Sequence, residues 1–227
     1  MAFIHSTLRA AALLALMLGL SDAVNAAANK EAIDESNPEA VVSQVVNEAL
    51  NVLAEDIDRF KENEDAVQAF FSEHILPWLD TELMARFALG RVARQATDED
   101  IQRFKDALEE RVAKLYTGSL QSYAEETRRF AERGEVSLRT VSTNDDRAVV
   151  SAQISSPELE RTTLRIQLHR RDNRWRVFDI ETSGVSMLLV FRDALRSAAS
   201  DGRIEELIAA LENGTVEVEE AWEDETN

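Results

Sequence analysis

The chain has 227 residues, enough for one domain with a core of its own. Its 44% hydrophobic and 30% charged residues mark a globular chain, not a disordered one. It has no cysteine, which excludes disulfides, thiolate metal sites and a thiol nucleophile, and its net charge of −18 excludes nucleic acid as a partner.

Residues 1–26 read as a signal peptide. Arg9 is the one formal charge before Asp22, and Ala10–Leu20 is an apolar run of 11 residues interrupted only by Gly19. A transmembrane helix needs ~20 apolar residues, so the run is too short to span. Val24-Asn25-Ala26 and the following Ala27-Ala28 satisfy the small-x-small cleavage rule. The mature chain then starts near Ala27 and keeps the same net charge, because Arg9 and Asp22 cancel.

Helical periodicity dominates the first half of the mature chain. Asn37-Pro38 supplies an N-cap and a first-turn proline. Val42, Val45, Val46, Ala49, Leu53, Ile57 and Phe60 then recur at helical spacing, which predicts a helix over 38–61. A second helix is predicted over 65–75, stopped by Pro77, and a third from Asp80 or Thr81 to Gly90. Thr97 opens a fourth with Asp98, Glu99 and Asp100 in its first turn. Gly118 is expected to bend it before a further helix through Leu120, Tyr123 and Phe130.

At Gly134 the period changes to two. Strands are predicted through Val136–Val141, Ala148–Ile154, Thr162–His169 and Trp175–Thr182. Thr162, Leu164, Ile166 and Leu168 share one face of the third, and Asp172-Asn173 signals a tight hairpin after it. Asp179 has the strand parity of Trp175 and Val177, which puts a carboxylate on an otherwise apolar face; it is expected to receive backbone amides at the next turn or to stand at a cavity mouth. Ser186 caps a helix through Leu188, Phe191 and Leu195, and a last helix carries Ile204, Leu207, Ile208 and Leu211 up to Gly214. The fold class is α+β: helices packed on a four-stranded antiparallel sheet, with no repeat and no interdomain linker.

Three blocks in this order resemble the MlaC family, also called the toluene-tolerance family. They are Ile75-Leu76-Pro77-Trp78-Leu79-Asp80 with Met84–Arg91; Ala96-Thr97, Arg103-Phe104, Leu115-Tyr116 and Leu120–Tyr123; and Trp175–Ile180 with Gly184-Val185-Ser186 and Phe191-Arg192. Trp78-Leu79 stand where His-Phe is more usual, Ala93 where an aromatic is common, and Val190 where a polar residue precedes Phe191. The resemblance covers residues 40–213. It implies a periplasmic phospholipid carrier that encloses acyl chains in an apolar cavity between sheet and helices. It also implies traffic between an outer-membrane lipoprotein–porin complex and an inner-membrane ABC transporter with MCE domains, which maintains outer-membrane lipid asymmetry. A monomer is expected, with the carrier domain over 27–214 and no cofactor other than the lipid cargo.

A diacyl lipid exposes roughly 30 methylenes worth ~0.8 kcal/mol each, so leaving its tails in water costs on the order of 20 kcal/mol. A carrier has to cover them almost completely. Candidate lining residues are Leu76, Trp78, Met84, Phe87 and Leu89, expected to meet the sheet; Tyr116 and Leu120 beside Gly118; and Val177, Ile180, Val185 and Leu188 around the turn at Gly184. Apolar periodicity fits a wall and a filled core equally well.

Arg161, Arg165, Arg170, Arg171, Arg174 and Arg176 crowd sixteen residues of an acidic chain. They read as a solvated outer face or as a docking surface, with Arg165 and Arg176 the candidates to meet an acidic partner or a headgroup phosphate. Residues 215–227 form an acidic tail, solvating or docked through Val218, Ala221 and Trp222. No Ser–His–Asp order, HExxH, P-loop or GxGxxG is present, so no catalytic activity is expected. The alternative to a carrier is a periplasmic chaperone or adaptor binding apolar peptide segments, which needs an open groove.

Overall fold

The computed structural model describes residues 34–157, 159–199 and 202–216. The signal peptide predicted over 1–26, the expected start of the mature chain and residues 217–227 of the acidic tail lie outside them. No helix among the described residues is long and apolar enough to cross a membrane.

Helix α1 (Pro38–Glu62) starts as its sequence dictates: Asn37 Oδ1 accepts from the amides of Glu39 at 3.0 Å and Ala40 at 3.3 Å, with Pro38 in the first turn. Asn63 ends it and caps α2 (Glu64–Phe70) by accepting from Ala66 N at 3.0 Å. The expected regular helix over 65–75 instead widens into a single π turn, Phe71–Ile75, followed by a 3₁₀ turn, Leu76–Trp78, that takes up Pro77. Proline lacks the amide for another α-turn, and the chain passes it through a wider π turn and then a tighter 3₁₀ turn.

Helix α3 (Thr81–Leu89) ends on Gly90 in a positive-φ conformation. A second 3₁₀ turn, Val92–Arg94, leads to Thr97, which closes a reciprocal cap with Asp100: Thr97 Oγ1 accepts from Asp100 N at 3.2 Å, and Asp100 Oδ2 accepts from Thr97 N at 3.1 Å. Helix α4 (Asp98–Ser122) then runs through Gly118 without a break. The bend expected at Gly118 falls at Tyr123, where α5 (Ala124–Arg133) begins. A lone glycine costs a helix only ~1 kcal/mol, which burial of Tyr116 and Leu120 on either side offsets.

The sheet has order β1-β2-β3-β4-β5, with all neighbours antiparallel. Its strands are β1 (Glu135–Thr143), β2 (Arg147–Ser156), β3 (Leu159–Arg171), β4 (Arg174–Thr182) and β5 (Val185–Ser186). The expectation of four strands misses β5, which at two residues is too short to show a period. Asp172 and Asn173 both take positive φ between β3 and β4, and Ser183-Gly184 repeat the device between β4 and β5. Two consecutive positive-φ residues match the twist of a two-residue hairpin.

Ala148, Val150, Ala152 and Ile154 of β2 and Leu164, Ile166 and Leu168 of β3 line the inner face and are fully buried. Val177 pairs with Leu168, but Ile180, not Asp179, pairs with Ile166. The register slips at Phe178, a bulge in β4. The bulge corrects the parity expected from sequence: Asp179 pairs with Gln167 on the outer face, away from Val177.

Helices α6 (Met187–Ala198) and α7 (Ile204–Glu212) complete the chain. The buried apolar residues form two clusters. One joins the sheet's inner face to α1, α2, the π turn and the second half of α4. The other joins α3, the first half of α4, α6 and α7. Val112 lies partly buried against both.

Candidate functional site

The first cluster is built between the sheet and the long helix α1. Val41, Val42, Val45, Val46, Ala49 and Leu50 are its buried stripe over the strands. A ring of aromatic side chains closes one side. Phe70 lies 5.4 Å from Phe60 and 6.1 Å from Tyr116, and Phe71, the first residue of the π turn, lies 5.3 Å from Tyr116. His74 stacks on Phe70 at 5.3 Å and meets Glu48 of α1 through Nδ1 at 2.7 Å. The π turn is thereby pinned to α1 by one polar pair at the rim of an otherwise apolar region.

Of the candidate lining residues, Tyr116, Leu120 and Val177 are members of this cluster, and Leu76, Trp78 and Ile180 pack against it. Leu89 belongs to the second cluster and Met84 packs on that one, so α3 divides its apolar residues between two places. Phe87 is 39% exposed, with the Arg192 guanidinium 5.7 Å from its ring. Leu188 is buried and Val185 half-buried, in neither cluster. Of the block expected to meet the sheet, Leu76 and Trp78 pack on the cluster that includes its inner face, whereas Met84 and Leu89 go to the second cluster and Phe87 to the surface.

Burial holds the Tyr116 hydroxyl far above its ordinary pKa, so it stays protonated. Its Oη has no hydrogen-bond partner among the described residues.

Two polar assemblies fix the helices to the outer parts of the sheet. At the first, Asp80 Oδ1 caps α3 through Leu83 N at 3.1 Å, and Oδ2 meets His169 Nδ1 at 2.7 Å. Arg171 reaches Asp80 at 3.4 Å and Glu82 at 2.7 Å, and Asp80 N donates to Val177 O at 2.8 Å. The Arg86 hydrogen bond, with help from Arg171, lowers the Glu82 carboxyl below its ordinary value. Sequence reasoning gave Asp80 or Thr81 as the start of this helix and put Arg171 among the crowded arginines, but it joined neither Arg171 nor His169 to Asp80. Their outward strand parity was the available signal; the partner, 89 residues away, was not.

At the second, Asp179 accepts from Ser186 Oγ at 2.6 Å, Leu188 N at 3.0 Å and Ile180 N at 2.8 Å, while Ser186 Oγ accepts from Leu189 N at 3.1 Å. The carboxylate and the serine together cap α6. Asp179 thus receives backbone amides at the following turn, one of its two expected roles.

Arg165, Arg171, Arg174 and Arg176 of β3 and β4 face outward and are paired, whereas Arg170 has the parity of Leu168 and lies over the Trp175 ring. Arg165 meets Glu181 at 3.1 Å, and Arg176 meets Glu35 at 2.8 Å while lying 5.5 Å from the Trp78 ring. Among the described residues no three His, Cys, Asp or Glu side chains are grouped to hold a metal ion.

An antiparallel sheet with one apolar face under a long helix, a group of aromatic rings at its side and ion pairs outside defines a helix-covered α+β fold. The family model for MlaC protein matches residues 43–213, and the chain belongs to that family. A solved structure with the same fold is the phospholipid-binding protein from Ralstonia solanacearum in complex with a phospholipid. It is 22% identical, with a TM-score of 0.66, and the match covers 80% of this chain and 98% of that one. No curated protein matches the chain.

Proposed function

We propose that the chain is a periplasmic phospholipid carrier that shuttles lipid between outer and inner membranes and so maintains outer-membrane lipid asymmetry. Membership of the MlaC family over residues 43–213 carries this reading, and the phospholipid complex of the Ralstonia protein supports it. The signal peptide over 1–26 delivers the chain, and a lipoprotein–porin complex and an MCE-domain ABC transporter are its partners. The chemistry is binding and release, with no covalent step and no cofactor. Acyl chains lie against the first cluster, with Leu76, Trp78, Tyr116, Leu120, Val177 and Ile180 in the wall. An apolar sheet face under helices suits this cargo because each methylene removed from water contributes ~0.8 kcal/mol.

Native mass spectrometry of the mature chain purified without detergent tests the reading. A stoichiometric adduct of phospholipid mass is expected. A bare chain that takes up no lipid from vesicles in the presence of its transport partners sinks the carrier reading and puts the apolar-peptide chaperone in front.

The outward arginines are proposed as the docking face, since Arg165 remains half-exposed beside Glu181 and can exchange that partner for an acidic group elsewhere. Arg165→Glu should slow lipid transfer to a partner several-fold while leaving the lipid content unchanged. The double change with Arg176→Glu should slow it further, because it also breaks the pair with Glu35. Unchanged transfer in the double variant removes Arg165 and Arg176 from the docking face.

A further inference from the structure

We propose that the Tyr116 hydroxyl donates a hydrogen bond to an ester carbonyl of the bound phospholipid and thereby selects ester-linked lipids. The assignment rests on the phospholipid-carrier reading and names one polar contact within it.

Tyr116 is 4% exposed in the middle of the first cluster, and its hydroxyl has no hydrogen-bond partner among the described residues. Three other buried polar atoms share that description, but each belongs to a group that is otherwise engaged. Arg111 donates through Nη2 to Val216 O at 2.9 Å, Arg128 pairs with Asp58, and Glu35 Oε2 faces Arg176 at 2.8 Å. Buried polar groups nearby are satisfied as well: Thr117 Oγ1 donates to Ala113 O at 2.9 Å, and Trp175 Nε1 donates to Ser36 O at 2.8 Å. Tyr116 is the exception in a region that otherwise satisfies its donors.

A buried hydroxyl without a partner is costly, and a phenylalanine ring would fill the same space without that cost. Its surroundings are the rings of Phe70 and Phe71, the latter presented by the π turn, a departure from regular helix that recurs at functional sites. Burial keeps the hydroxyl protonated, so its O–H is there to donate.

The acceptor must then arrive with the ligand. Acyl chains offer none. A phosphate would carry its charge into an apolar interior at a cost far above what one hydrogen bond returns. The ester carbonyls are neutral acceptors at the root of the chains, where lipid enters an apolar wall.

The test is competitive loading from vesicles holding equal amounts of a diester phosphatidylcholine and its diether analogue of the same chain length. Bound lipid is read by native mass spectrometry for the mature chain and for Tyr116→Phe. One neutral hydrogen bond is expected to favour the ester form roughly 3- to 10-fold in the wild type. Tyr116→Phe should load both forms equally and, stripped of lipid, melt no lower than stripped wild type, since the ring is kept and an unpartnered hydroxyl is removed. A wild type with no preference, or a variant that keeps it, overturns the assignment. A wild type that loads neither lipid even with its transport partners present overturns the carrier reading itself, which is a different outcome.

Discussion

Phe104→Ala should lower the unfolding free energy by about 3–5 kcal/mol and the melting temperature by roughly 6–20 °C, yet leave the lipid carried per folded molecule unchanged. Phe104 has no exposed surface and sits where α4 meets α3, α6 and α7. Removing its ring deletes a large buried area and leaves a cavity that four helices can only partly close. The size of the cost thus follows from burial alone. The retained cargo follows from the division of the core, since the second cluster shares only the flank of Val112 with the one under the sheet. Thermal unfolding and native mass spectrometry on the same preparation check both halves. A loss below about 1 kcal/mol would mean that the site collapses freely around the missing ring. A loss of lipid at full folding would place cargo in the second cluster.

Asp179→Ala should destabilise by about 2–4 kcal/mol, because it strands the Ser186 hydroxyl and the Leu188 amide without their acceptor at the start of α6. Asp179→Asn keeps an acceptor for the amides and should cost less than about 1 kcal/mol. The pair of variants also isolates a pH effect. Burial raises the Asp179 carboxyl above its ordinary pKa, against hydrogen bonds from Ser186, Leu188 and Ile180 that lower it. The native carboxyl therefore holds its proton more tightly than the unfolded one. Its contribution to stability is fully present below the unfolded pKa and is lost as pH rises through the raised native value. Wild type should accordingly gain on Asp179→Asn as pH falls through that native value, with no change in the gap well above it. Chemical denaturation of both proteins over that range measures the gap. A gap that narrows in acid would show that the hydrogen bonds outweigh the burial.

Both predictions depend on features that local pattern conveyed unequally. The cap at Asn37, the helix start at Thr97, the Asp172-Asn173 hairpin and the apolar face of Leu164, Ile166 and Leu168 were legible, because each is set by residues within a few positions of one another. The family resemblance was legible as well, since its blocks are contiguous. Phe178 was not. Whether a strand bulges depends on how its partner's hydrogen bonds fall, and that register flips every following side chain. The uninterrupted run through Gly118 was missed for a related reason: the packing that outweighs glycine's propensity comes from other helices.

Sequence by itself thus determined most element types, their order, the antiparallel meander of the four long strands and the apolar face of each element that runs without a bulge, because period and capping are short-range properties of the chain. Tertiary structure alone decided which apolar faces meet. It split the helices between two clusters, gave Leu76 and Trp78 to one and Met84 and Leu89 to the other, and brought His169 to Asp80 across 89 residues. Hydrophobic burial is non-directional, so a stripe of apolar residues specifies that it will be covered and says nothing of what covers it.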